Sequence, residues 1–159
     1  MTTPRQVLLS QLSACRDTNG WFVSMKSAVA GLPAAQASAR TDAHSIHQVV
    51  FHAAYWSERY LARWRGQALP DVPSNDASFD TGDRDWPAVV QWFDAVMAAW
   101  KSEIEAAPEE RLEAPLRPGA SETWYGALSH MVLHTAHHVG QVVTLRKLQG
   151  SWDPKQGVS

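Results

Sequence analysis

"HTAHHVGQVVTLRKLQG" spans residues 134–150, and its periodicity decides what kind of molecule the chain can build. With the residues before it, a stripe recurs at three- and four-residue spacing: Ala127, His130, His134, His138, Gln141, Leu145 and Leu148. Such spacing places side chains on one face of an α-helix and predicts a helix over about Glu122–Gln149. Arg146 and Lys147 fall in its last turn and Gly150 just beyond, a C-terminal signal. A stripe so continuous reads as facing a core, and it carries three imidazoles.

The rest of the chain repeats the helical pattern. Leu8, Leu12, Cys15, Phe22, Met25 and Val29 predict a first helix over about Arg5–Ala30, with Asn19-Gly20 as a point of bending. A second helix starts after Ser45, where Ser45 and Gln48 form a capping box; Ile46, Val50, Ala53, Tyr60 and Trp64 make its apolar face. A third runs over about Asp85–Ala106, with Pro87 in its first turn, where its missing amide costs nothing. The Gly-, Pro-, Asp- and Ser-rich stretch at about 66–84 is a long loop between the second and third helices, and loops of that length are often functional. No segment alternates as a strand does. The expectation is an all-α, single-domain four-helix bundle over 1–159, with a loosely packed or disordered tail at about 151–159. The long connections leave room for a crossover.

Composition narrows the function classes. The 159 residues hold 45% hydrophobic and 19% charged side chains with a formal net charge of -2, an ordinary globular balance. No basic surface is available for phosphate, so nucleic acid is not an expected partner. No run approaches the roughly 20 apolar residues of a membrane span. Val7-Leu8-Leu9 is too short for a signal-peptide core, and the expectation is a cytoplasmic protein. Cys15 is the single cysteine, which excludes an intrachain disulfide and a cysteine-based zinc site; it reads as a small core residue. Eight tryptophans are many for this length. The spacing of Trp56 with Trp64 and of Trp92 with Trp100 reads as packing.

Seven histidines occur, at 44, 47, 52, 130, 134, 137 and 138. Imidazoles four apart on a helix can converge on one metal ion, and both His130/His134 and His134/His138 meet that spacing. All three cannot do so together: the outer two are separated by about 12 Å of helix rise, whereas metal–nitrogen bonds are about 2 Å. A third ligand must come from elsewhere. His52, beside Val49 and Trp56 at the edge of the second helix's apolar face, is the best placed; His44 and His47 read as exposed or near a loop. Hydrogen-bonded core histidines are the competing explanation, and spacing alone leaves both open. Thr135 stands where a His-Glu-x-x-His protease has its general base. Neither Glu103, Glu105 nor Glu122 begins a Glu-x-x-His pair of the di-iron kind.

"SIHQVVFHAAYWSERYL" on the second helix and "HTAHHVGQVVTLRKLQG" on the fourth together resemble the DinB/YfiT-like superfamily of metal-binding four-helix bundles. The likeness runs over roughly Leu8–Gly150. It implies that His52 and the two histidines of HxxxHxGQ, His134 and His138, bind a divalent transition metal, zinc or nickel first among them. His137 stands where an aromatic residue is common, and His130 adds an imidazole one turn earlier; His130, Gln141 and Tyr55 are candidates for the surrounding shell. Gly140 would admit a close helix approach. Three histidines leave an open coordination position, as in catalytic rather than structural zinc sites. Characterised relatives include low-molecular-weight thiol S-transferases. The resemblance therefore implies a metal-dependent transferase that uses such a thiol on small-molecule electrophiles. The alternatives are a hydrolase using metal-bound hydroxide, a non-catalytic metal-binding stress-response module, and a metal-free bundle held by its tryptophan-rich core. Relatives are often homodimers, so a homodimer is an expectation too. No residue stands out as a general base; Tyr55, Glu58 and Gln141 are the polar neighbours.

Overall fold

Capping chemistry sets the starts of the long helices. In α1 (Pro4–Arg16) the Thr3 hydroxyl accepts the Gln6 amide while the Gln6 side chain accepts that of Thr3. The Ser45–Gln48 pair does the same for α4 (Ile46–Trp64). The Asp85 carboxylate accepts the Ala88 amide at 2.9 Å to open α5 (Trp86–Ala106), with Pro87 in the first turn. Thr123 caps α7 (Trp124–Leu148). That helix closes on a Schellman motif: Gly150 adopts φ 67°, its amide donates to Lys147, and the Ser151 amide donates to Arg146.

This computed structural model describes residues 1–40 and 44–157. They form these four helices, the short helices α2 (Met25–Val29), α3 (Ala34–Ala37) and α6 (Glu109–Glu113), and 3-10 turns at Asp76–Phe79 and Pro154–Gln156; no strand forms among them. The fold is the expected helical bundle. The predicted first helix, however, is broken rather than bent. It stops at Arg16, because the Asn19 side-chain oxygen accepts both the amide and the hydroxyl of Ser24, each at 3.0 Å, and Ser24 then caps α2. A side chain that serves the next helix's start competes with continuation of the first. Part of the connection to α4, residues 41–43, lies outside the described residues.

Each of α1 and α4 packs against both α5 and α7, so α1 and α4 stand at opposite corners. The connections from α1 to α4 and from α5 to α7 therefore cross the bundle, while α4 and α5 are neighbours joined by the long loop. The core between them holds Leu12, Cys15, Met97, Trp100, Ile104 and Leu128, all fully buried. Burial pushes the Cys15 thiol up to about 12, and it donates to the Val132 carbonyl. The Trp64, Trp100 and Trp124 rings interlock at centroid separations of 5.0 to 6.4 Å. Trp21 alone of the eight tryptophans is fully exposed.

Within the stretch expected to be a loose tail, Ser151 and Gln156 are hydrogen-bonded to Arg146, Asn19 and Ala30, and residues 158–159 lie outside the described residues. Arg146, read from sequence as a last-turn cation, is buried. Its guanidinium donates to the carbonyls of Ala28, Ala30 and Ser151 and lies over Trp152. Asn19 reaches the Gln156 carbonyl from the other side. No helix of the described residues is long and apolar enough to cross a membrane.

Candidate metal centre

Helices α4 and α7 run antiparallel, and that register brings His52 to His134 and His138. The three imidazoles each offer a nitrogen within 4.8 Å of the others'. Nε2 of His134 lies 3.1 Å from Nε2 of His52 and 2.9 Å from Nε2 of His138. Nitrogens around a tetrahedral ion with bonds of about 2.0–2.1 Å stand roughly 3.3 Å apart. The donor spacing fits a small divalent ion closely.

The protons strengthen that fit. The Ser78 hydroxyl donates its single proton to the Asn75 carbonyl, which can only accept, so the Ser78 oxygen accepts from Nδ1 of His52 at 2.7 Å. Nδ1 of His138 faces the Gln141 side-chain oxygen at 2.7 Å. In both rings Nδ1 holds the proton and Nε2 turns its lone pair inward. The desolvation of burial holds His52 near 3 and His138 near 4, aided at each by neighbouring imidazoles, and desolvation lowers His134 as well. At neutral pH the rings are uncharged, and a single proton on the His134 nitrogen can satisfy only one of the two lone pairs facing it. A cation at the centre satisfies all three.

Two depressions border the centre. One, of about 300 Å³, opens beside His52 and His134 between Trp56, Tyr60, Asn75 and Met131. The other, of about 680 Å³, lies beside His138, with His44, His137, Gln141 and Thr144 at its edge. The histidine stripe is a core stripe only in part: Ala127 and His138 are buried, and His134 and Leu145 are half-buried. The buried face of α7 runs through Leu128, Thr135, Val139, Val142 and Val143, while His130, Gln141 and Leu148 are exposed. The histidines occupy the edge of that face, where a solute can reach them.

The shell residues divide. Gln141 orients His138. His130 borders the smaller depression, exposed, with Nδ1 at 3.2 Å from Glu122, away from the three converging nitrogens. Tyr55 packs on Phe51 and Trp56 with Arg59 over its ring, so its hydroxyl belongs to another flank of α4. Glu58 accepts from the Trp92 indole. Gly140 meets no neighbouring helix: a Cβ there would find nothing within 4 Å. His44 is exposed as expected, but His47 is buried, near the Ser38 hydroxyl at 3.3 Å and edge-on to Trp86. Sequence reading missed Ser78 and Phe79. Phe79 lies flat on His52, centroids 4.0 Å apart, and His44 stacks on Phe79 at 3.7 Å. Only the loop's length hinted at a role; no periodicity marks either residue.

A family model described as the DinB superfamily matches residues 24–142, which include all three histidines. No curated protein and no solved structure gives a significant match.

Proposed function

The chain belongs to the DinB superfamily, and on that premise we propose that it is a metal-dependent enzyme. His52, His134 and His138 hold a divalent transition metal, zinc or nickel, and the reaction is transfer of a low-molecular-weight thiol onto a small electrophile. The observation that carries the metal reading is the set of three inward nitrogens within 4.8 Å of one another, that of His134 lying 3.1 Å from His52 and 2.9 Å from His138, two of them with their protons committed outward. A three-histidine ion keeps a coordination position for an exogenous ligand. When bound it supplies a Lewis acid that keeps a thiol ionised at neutral pH.

The chain's own residues supply orientation and shape. Gln141 and Ser78 hold two imidazoles in the ligating tautomer. Trp56, Tyr60 and Met131 offer an apolar wall for the electrophile. Among the described residues, Glu58 and Tyr55, two of the polar neighbours read from sequence, are engaged away from the triad. That favours a reaction in which the nucleophile arrives already ionised: the thiolate sulfur bonds to the electrophilic carbon, and the leaving group departs with its electron pair.

The test is turnover of a chloronitroaromatic probe by metal-loaded protein with a panel of cellular thiols, monitoring the thioether. Thiol-dependent turnover that disappears with His138→Ala supports the proposal. Ester hydrolysis without thiol points to bound hydroxide, and metal binding without turnover of any probe points to a non-catalytic module.

A further inference from the structure

The long loop is exposed over most of its length, yet Ser78 and Phe79 are buried, Ser78 completely. Both are buried against one side chain. Ser78 accepts the Nδ1 proton of His52, Phe79 covers a flat face of the same ring at an interplanar angle of 10°, and the 3-10 turn bearing them packs on α4. His44 covers the outer face of Phe79, and the Gln48 side chain reaches the Phe79 carbonyl at 3.5 Å. The same turn therefore constrains the tautomer of His52 and its ring plane.

We infer that Ser78 and Phe79 are positioning residues for the metal centre: the long loop holds His52 ready to ligate, and metal loading in turn fastens the loop. This rests on the metal reading above. An imidazole whose Nδ1 is unpartnered can present either nitrogen and can rotate about its side-chain bonds, and loss of such an outer partner typically costs 10–100-fold in metal affinity. Linkage makes the effect reciprocal: the factor by which the closed loop tightens metal binding is the factor by which metal favours the closed loop. His138 supplies an internal contrast, because its Nδ1 partner, Gln141, comes from its own helix and stays in place whatever the loop does.

Zinc affinity is measured on the full chain by competition with a chromophoric chelator, well below the melting temperature, for wild type, Ser78→Ala and Phe79→Leu. Ser78→Ala is expected to weaken zinc about 10–100-fold, and Phe79→Leu to weaken it by less. Nitrogen NMR of the metal-free proteins is expected to show His52 protonated at Nδ1 in wild type and a tautomer mixture in Ser78→Ala. Zinc is expected to slow amide exchange at 76–80 in wild type only. A purely structural role for Ser78 would lower the melting temperature without moving the affinity or the tautomer. Equal zinc affinity in wild type and Ser78→Ala overturns this inference alone; a wild type that binds no zinc overturns it together with the metal reading.

Discussion

The same two helices build two regions of opposite character. At one level of the α4–α7 pair, Trp64 meets Trp124 at 5.0 Å, with Trp100 of α5 closing the cluster. Roughly 18 Å of helix rise back along α4, His52 meets His134 and His138. In the tryptophan cluster the indoles of Trp100 and Trp64 donate to the Ser57 carbonyl and the Glu103 carboxylate, so these two indoles are satisfied by the protein itself. In the histidine cluster the outward nitrogens of His52 and His138 are satisfied and the inward ones face each other. One region is finished by folding. The other turns three imidazole nitrogens toward one point beside two depressions, an arrangement that fits a metal ion.

Breaking the finished region should have the largest effect. Trp100→Ala is expected to cost about 3–5 kcal/mol of stability in chelator and in zinc alike, read by urea unfolding; a cost under about 1 kcal/mol would mean the cluster is not the bundle's anchor. Next comes the buried cation that fastens α2 and the tail to α7. Arg146→Met removes the charged donor from three carbonyls and should cost about 2–3 kcal/mol, with faster proteolysis after residue 150 and unchanged zinc affinity. A melt indistinguishable from wild type would contradict that anchoring.

The pH response separates the two regions. His47, His52, His134 and His138 all have folded-state values below the ordinary 6.5. For each, the unfolded chain takes up a proton first as pH falls. Their contribution to stability is intact above about 6.5 and is lost as pH falls below it, toward about 4 for His138 and about 3 for His52. Metal-free protein should therefore melt roughly 5 °C lower at pH 5 than at pH 7.5; a flat profile would mean the imidazoles are not buried neutral. The smallest effect is expected at His130, exposed and paired only with Glu122. His130→Ala should change stability by less than about 0.5 kcal/mol and zinc affinity by less than about threefold. A large loss of affinity would bring that residue into the centre.

What could be read in the sequence was local. The Ser45–Gln48 capping box, Asp85 with Pro87, and Gly150 past the end of α7 each act through residues within a turn, and each is where the spacing placed it. His134 and His138 share a face by helical geometry alone. His52 was legible from its place at the edge of the second helix's apolar face and from the resemblance; the antiparallel pairing of α4 with α7 that brings it to the other two was not. What escaped depends on distant chain. Arg146 is buried because α2 and the tail bring carbonyls to it. His47 is buried because Ser38 and Trp86 close over it. The predicted first helix breaks because Asn19 is recruited by Ser24 and Gln156. Ser78 carries no pattern; only the fold of the long loop sets it against His52.

The most direct measurement of the central claim is metal content by elemental analysis, on protein purified without an affinity tag, comparing wild type with His134→Ala. About one transition metal per chain in wild type, lost in a variant that keeps the helical circular dichroism of wild type, is the predicted result. A wild type that carries no metal even after incubation with zinc or nickel would contradict it, and the three inward nitrogens would then be a polar seam of the bundle rather than a metal centre.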